Sequence, residues 1–439
     1  LEPLRQLQCL EFLDDLSMLN LLRGNLLDSR APDPSVETLL HAFLPHRVVD
    51  HTHASAILAI SDQPDGDEIC TEIFAGMAAV VPYVMSGLAL AKGAAEISLE
   101  HAEVPGLILS KHGAVCFGSS AQISYENMIA LVNLAESFLN WGRKTFFPSI
   151  KLPSEVPPAA KIAPLIRGAL ARMGEAAIEN YRRVVLEHRS GEDVMNFVNG
   201  QALKRYAQAG VVTPDHAIRT KGWPLILPPA VNAKAISNAV RNYAEDYAAY
   251  YLRHARSDTT MLDPLPKVIL MPGVGLFAAG RTATEISVVA DIAERAIAII
   301  GAAESYGQFE SLSEEELFAI EYWSLEQAKI QTTQDPPLAG HVAVISGGAG
   351  AIGAATAQAF FDEGAAIILL DLNVGLAEEI ASSMGGLSIA CDITDAASVN
   401  ATFDTICKTY GGVDILVSNA GAAWQGKIGE VDELSLIHI

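Results

Sequence analysis

The sequence predicts an α/β protein of two or three domains, the last of them built on a parallel sheet. Three observations carry that prediction. The chain is 439 residues long, more than most single domains hold. It is 50% hydrophobic and only 18% charged, which supplies ample apolar surface for large cores. Towards its end a strand, a Gly-rich turn, a helix and a second strand follow one another within about thirty residues.

The first block runs to about Phe147 and mixes amphipathic helices with short apolar strands. The chain opens at Leu1, without Met or a signal-type n-region, and "LRQLQCLEFLDDLSMLNLLRG" reads as an amphipathic helix in full stride, as in an internal fragment. In "APDPSVETLLHAFL" Asp33 suits an N-cap with Pro34 in the first turn, which puts Glu37 and His41 on one helix face. "RVVDHTHASAIL" reads as a strand, and residues i and i+2 leave a strand by the same face with Cα atoms roughly 6.5 to 7 Å apart. His51 and His53 could therefore share a metal ion, or be two satisfied core histidines. Ile73 to Ala91 carries no charge and could just span a bilayer. Gly76, Pro82 and Gly87 instead divide it into a short helix, a strand "AVVPYVM" and a turn of a soluble core. "GLILSKHGAVCFG" is an apolar strand that delivers His112 beside Gly113, where a missing side chain leaves room. Three neutral imidazoles with open coordination positions would suit a catalytic zinc site.

A proline-rich connection, "FPSIKLPSEVPPAAK", leads into a middle block of residues 151–335. There "LPKVILMPGVGLFAAGRTATEISVVADIAERAIAII" reads as strand, Gly loop and long helix, so that Gly273, Gly275 and Arg281 either hold a phosphate or make a tight turn. Asp215 and His216, with Arg219 and Lys221, either line a site for an anion or form a capped, salt-bridged turn. "SEEEL" reads as a solvated helix N-terminus and "EYWSLEQAK" as an amphipathic helix packing one domain on another. No internal repeat is evident.

The third block, 336–433, opens with a strand from Val342 to Ser346, a Gly-rich turn, an Ala-rich helix and a second strand ending in Asp371. Glycines let a backbone approach a pyrophosphate, the helix N-terminus offers N–H groups, and an acid at the second strand's end can bind ribose hydroxyls. A carboxylate at Asp371 would repel a 2′-phosphate, which favours NAD over NADP. The last six residues, "LSLIHI", read as a sequencing-adapter scar.

Composition sets the outer bounds. A formal net charge of −23 leaves no electrostatic footprint for nucleic acid or an anionic membrane and favours small-molecule substrates. Five scattered cysteines without CxxC spacing suit reduced packing thiols in a cytoplasm.

"SGGAGAIG", the "SIACDITD" that ends a third strand at Asp392, and the "VDILVSNAG" that ends a fourth together resemble the short-chain dehydrogenase/reductase family from Ala339 to about Glu433. That resemblance implies a partial Rossmann sheet that binds NAD through Ser346, Gly347, Gly350, Ile352, Gly353, Asp371, Asp392, Ile393, Asn419, Ala420 and Gly421. Ala351 stands where the family pattern has its middle glycine, with Gly350 just before it. The family's catalytic Ser and YxxxK do not follow Asn419, so the block reads as a half domain.

PSxE at Glu37, HxH at His51 and His53, and HG at His112 resemble the class II aldolase/adducin-head family of zinc-dependent sugar-phosphate aldolases and epimerases. The resemblance implies that His51, His53 and His112 bind Zn2+ and that Glu37 is the acid/base. The metal would draw electrons from a ketose carbonyl as the C3–C4 bond breaks, and Glu37 would move a proton at the enediolate carbon. The family's phosphate-binding Gly-Asn-x-Ser loop and first strands would lie upstream of Glu37 and are missing. Over essentially the whole chain the arrangement resembles the bifunctional rhamnulose-1-phosphate aldolase/L-lactaldehyde dehydrogenase family. The expectation is a class II aldolase-like α/β domain at 1–150 followed, past the middle block, by the dehydrogenase half. It also implies a cytoplasmic homo-oligomer acting on a sugar phosphate and an aldehyde, away from nucleic acid and membrane. A 4-epimerase or an aldolase for another sugar phosphate, and an adducin-like interaction module, are the alternatives.

Overall fold

The computed structural model describes residues 1–141, 145, 147–173, 181–256, 259–328 and 335–421. The tail read as a scar, 434–439, lies outside them. The chain divides into two compact units. The first comprises Leu1–Pro157, His188–Ala279 and Ser287–Thr333; the second comprises Pro158–Glu187, Gly280–Ile286 and Gln334–Ile439.

The first unit opens with a four-stranded sheet. Its strands are β1 (Val48–Thr52), β2 (Ala79–Val81), β3 (Gly106–Leu109) and β4 (Gly113–Gly118), in the order β1-β4-β3-β2. β2 runs parallel to β3; the other pairs are antiparallel. Side chains alternate between faces along each strand. Leu107, Leu109, Val115 and Phe117 therefore enter one core with the helices Asp15–Gly24, Thr38–Phe43 and Leu88–Glu100, while Ile108, Ala114 and Cys116 enter another.

Several local expectations change here. The opening helix is broken: Leu10 is extended, with ψ 138°, and a new helix begins at Asp15 because the Asp14 side chain accepts from Ser17 N–H at 3.0 Å. Asp33 is no cap, since its carboxylate accepts from Arg23 Nη2 at 2.7 Å; the helix starts at Thr38, with Glu37 at its N-cap position. The strand expected to reach Met85 stops at Val81, because Pro82 has no N–H for the ladder. Among the described residues no helix is long and apolar enough to cross a membrane. Cys70, Cys116 and Cys391 are buried packing thiols, but Cys9 is exposed.

After a two-stranded ribbon, β5 (Arg172–Met173) and β6 (Tyr181–Arg182), comes a second four-stranded sheet. It contains β7 (Val185–Arg189), β8 (Leu225–Ile226), β9 (Val268–Met271) and β10 (Gly275–Gly280) in the order β7-β10-β9-β8. β9 and β10 are antiparallel, so the Gly273 loop is a hairpin and not the expected strand-to-helix turn. Arg281 is occupied by Asp335, 3.1 Å away.

The second sheet repeats the first. Strand order agrees, the parallel pair falls in the same place, and β1, β3 and β4 have the lengths of β7, β9 and β10. The seven-residue helices Ser55–Ser61 and Glu192–Val198 follow β1 and β7 at the same spacing; long helices starting at Ala121 and Ala283 follow β4 and β10. The sequence hides this duplication because little except Val48/Val185, His51/His188, Gly113/Gly275, Gly118/Gly280 and Ala121/Ala283 is shared at these positions. Equivalent positions meet in one core: Ile57 with Val194, Ile108 with Leu270, Leu131 with Ala293 and Ala135 with Ile297 all belong to it. Burial of matching positions from both copies is the signature of an isologous pairing.

In the second unit β11 (Val342–Ser346), β12 (Ala366–Asp371), β13 (Leu387–Ala390) and β14 (Ile415–Val417) form a parallel sheet ordered β13-β12-β11-β14. Val342 and Val344 face one core, Ala343 and Ile345 the other, as a sheet covered on both faces requires. The order reverses between β11 and β14, and α/β sheets bind ligands beyond the strand ends at such a switch point.

Candidate functional site

Register brings the first group together. His51 lies on β1 opposite Val115 of β4, and Thr52 lies opposite Ala114, so the turn before Gly113 carries His112 to the end of β1 where His53 leaves the strand. Gly113 is required there: a Cβ would overlap the Thr52 carbonyl oxygen and stand 3.1 Å from His53 Cδ2. Glu37, at the head of its short helix, completes the group; its own N–H donates to Ser35 Oγ at 3.2 Å.

The geometry is close to symmetric. Ring centroids lie 4.9 Å apart for His51–His53, 5.1 Å for His51–His112 and 4.9 Å for His53–His112. Glu37 Oε1 stands 3.0 Å from His112 Nε2, 3.5 Å from His51 Nε2 and 4.0 Å from His53 Nε2. One donor atom from each of the four residues lies within 4.8 Å of the others. His112 and the His51 side chain are buried; His53 and Glu37 are about one quarter exposed.

His51 Nδ1 is 3.0 Å from the Ala114 carbonyl oxygen. A carbonyl only accepts, so that nitrogen carries the proton and Nε2 turns its lone pair inward, the arrangement that orients a metal-binding imidazole. His51 Nε2 and His53 Nε2 face each other at 3.1 Å. Edges of a tetrahedral zinc site with bonds of about 2.0–2.1 Å are about 3.3 Å long, so the spacing and the donor chemistry fit a divalent metal. Burial opposes ionisation of Glu37, but the hydrogen bond with His112, with the His51 ring beside it, outweighs it and holds the carboxyl well below the usual carboxylate range.

The second repeat keeps one of these donors. His188 stands at the position of His51, Ser190 at that of His53 and Val274 at that of His112. Among the described residues one metal-type cluster is present.

The Gly-rich turn of the second unit is tied together from β14. Asn419 Nδ2 donates to the Ser346 and Gly347 carbonyls at 3.0 and 3.2 Å, and the Asn419 and Ala420 N–H groups donate to Ser346 Oγ at 3.0 and 3.1 Å. Gly347 is left-handed, φ +66°, and a Cβ on Gly353 would overlap its carbonyl oxygen. Gly350 is the N-cap of the helix Ala351–Asp362. Asp371 accepts from Ala349 N–H at 3.0 Å and from Asn373 N–H at 2.9 Å, so it clamps the turn from β12. Ile352 and Ile393 are exposed, Asp392 accepts from Thr394 N–H at 2.9 Å just beyond β13, and Gly421 stands in open space. Ser346, Gly347, Gly353, Asp371, Asn419 and Ala420 are thus brought together, while Asp392 and Ile393 share the exposed C-terminal end of the sheet.

In the middle block His216 is buried, with Nδ1 2.8 Å from Thr213 Oγ1 and Nε2 3.2 Å from the Ile292 carbonyl, and Lys221 is buried beside Glu321. Both side chains are thus engaged by neighbours within this block; the Asp215 side chain lies outside the described residues. Two contributors were not anticipated from sequence: Ser35, which receives the Glu37 N–H, and the Ala114 carbonyl, which no sequence pattern marks.

Three family models match the chain in succession. The class II aldolase and adducin N-terminal domain matches residues 7–139, the second domain of class II aldolases 157–330, and the short chain dehydrogenase family 341–437. An uncharacterized oxidoreductase of Bacillus subtilis (strain 168), YuxG, is 34% identical across 98% of this chain, which spans 64% of that relative's length. D-threitol dehydrogenase of Mycolicibacterium smegmatis is 43% identical over 23% of this chain and 39% of its own. The N-terminal class II aldolase domain of a conserved protein from Thermoplasma acidophilum is 32% identical over 31% of this chain and 62% of its own, with a TM-score of 0.29. The chain carries class II aldolase domains and a short-chain dehydrogenase domain in one polypeptide.

Proposed function

We propose that this chain supplies the metal set and the cofactor turn of a protein that performs metal-dependent retro-aldol cleavage of L-rhamnulose 1-phosphate to dihydroxyacetone phosphate and L-lactaldehyde, coupled to NAD-dependent oxidation of the aldehyde. The convergence of Glu37, His51, His53 and His112 carries this reading. His51, His53 and His112 would hold Zn2+, which when bound supplies Lewis-acid electron withdrawal at a ketose carbonyl. Ala114 fixes the tautomer of His51, and Glu37, presented as a carboxylate at the exposed side of the set, is placed to move a proton at the carbon freed by cleavage. In the dehydrogenase part Ser346, Gly347, Gly350, Gly353, Asn419 and Ala420 shape the pyrophosphate turn, with Asp371 for the ribose hydroxyls and Asp392 and Ile393 on the adenine side. A carboxylate at Asp371 supports NAD over NADP. Fusion would keep a reactive aldehyde close to the activity that removes it. Free cysteines support a cytoplasmic setting, and the likeness to class II aldolases supports a homo-oligomer.

The test is metal content by mass spectrometry of the purified chain and of His51→Ala/His53→Ala, followed by cleavage assays with L-rhamnulose 1-phosphate and other ketose phosphates. Zinc in the parent and none in the variant, with dihydroxyacetone phosphate as product, supports the reading. A folded parent without metal overturns it, and turnover confined to a different sugar phosphate overturns the substrate.

A further inference from the structure

The turn that carries His112 exists twice in this chain. Ser110–Lys111–His112 in the first repeat matches Pro272–Gly273–Val274 in the second. Both turns close through the same bond, His112 N–H to the Leu109 carbonyl at 3.1 Å and Val274 N–H to the Met271 carbonyl at 3.0 Å. Both hold the middle residue in the left-handed region, with φ +55° at Lys111 and +80° at Gly273. That region suits glycine and disfavours a long side chain. The repeat without the full donor set has the glycine; the repeat that has the set carries a lysine in spite of its backbone.

What the lysine side chain does is plain from its contacts. Lys111 Nζ donates to the Glu310 carbonyl at 2.9 Å, to Glu310 Oε1 at 3.3 Å and to the Ser311 carbonyl at 3.3 Å. These acceptors belong to the second aldolase domain and are themselves anchored: Glu310 N–H donates to the Asp62 carbonyl at 2.9 Å, and Ser311 Oγ donates to the buried Val211 carbonyl. Asp62 is fully buried, its Oδ2 makes no hydrogen bond, and the Lys111 charge opposes the rise in its pKa that burial causes.

We propose that Lys111 is a positioning residue for the metal set: its ammonium, held by Glu310 and Ser311, fixes the left-handed turn and so aims His112 at Glu37, His51 and His53. The proposal rests on the metal reading above. It gives the second aldolase domain a role, since the segment after its long helix braces the turn that carries His112.

Lys111→Gly is the decisive variant, because the second repeat shows that glycine sustains this turn. Metal-free parent, Lys111→Gly and Lys111→Arg are titrated with Co2+, whose visible absorption reports ligand geometry, and zinc affinity is measured by chelator competition. Lys111→Gly is expected to bind about ten- to a hundredfold more weakly with an altered Co2+ band, at unchanged far-ultraviolet circular dichroism. Lys111→Arg is expected to recover most of the affinity. Parent-like affinity and spectrum in Lys111→Gly overturn the proposal while the metal reading stands. Arginine as weak as glycine also overturns it, assigning the loss to packing instead of charge. A folded parent that takes neither Co2+ nor zinc overturns both.

Discussion

Of two histidines one residue apart, His51 acquires its meaning from what occupies its second nitrogen. His51 spends Nδ1 on the Ala114 carbonyl, and Nε2 is then committed to the space shared with His53, His112 and Glu37. His51→Ala is expected to abolish stoichiometric zinc, read by metal analysis, whereas His46→Ala, a ring stacked on Phe117 outside the set, should leave it unchanged. A second buried charge gives a pH signature. Lys221 sits 3.8 Å from Glu321 and over the Tyr247 ring at 3.8 Å; burial, only partly offset by Glu321, lowers its pKa from 10.5 to about 8. Between those two values the unfolded chain binds the proton that the folded chain has lost, so this lysine makes stability rise with pH across that window. The rise should be missing from denaturation curves of Lys221→Met. That variant should also lose about 3–5 kcal/mol near neutrality, because Glu321, 1% exposed, is left without its counter-charge; adding Glu321→Gln should recover most of the loss.

At the scale of elements, both sites sit where a turn leaves a strand. Gly353 lets the helix after β11 start against the Gly347 carbonyl, and Asp371 reaches from β12 to the Ala349 N–H. Gly353→Ala should weaken NADH binding at least tenfold, followed by fluorescence. Asp371→Ser should shift the ratio of NADH to NADPH affinity towards NADPH by about tenfold or more, since the acid that would face the ribose hydroxyls is gone. These positions were legible beforehand because strand, glycine spacing and terminal acid follow one another in sequence. The boundaries around the histidines were not. Asp33 looked like the cap of Glu37's helix, but an Arg23 partner brought in by folding took its carboxylate, and the helix moved to Thr38.

At the scale of the whole molecule, the units do not follow the family boundaries. Pro158–Glu187 and Gly280–Ile286 fall within the second aldolase domain by sequence but fold in the unit of the dehydrogenase sheet. Asp414 fastens the first of these segments: it pairs with Arg167, accepts from Arg183 Nε at 3.0 Å and from Val342 N–H at 2.8 Å, and is only 12% exposed. Asp414→Ala leaves the buried Arg167 guanidinium without its carboxylate and should cost about 3–5 kcal/mol, seen as an earlier urea transition and faster proteolysis of this unit. The duplication is also a property of this scale. Two sheets of one topology share a core through equivalent positions, although the residues at those positions differ.

Sequence alone determined the parallel order of the last sheet, its Gly-rich turn and the identity of the candidate metal donors. Each of these depends on local chemistry: apolar periodicity, glycine where backbone must approach backbone, and imidazole where a nitrogen donor for a borderline metal is needed. Only the tertiary structure decided that Glu37 and His112, 75 residues apart, lie within hydrogen-bonding distance, that the middle block repeats the first, and that Lys111 reaches Glu310. Those facts depend on strand register and on contacts between segments distant in the chain. Burial selects such contacts by shape and apolar surface, and many different residues satisfy that requirement equally well.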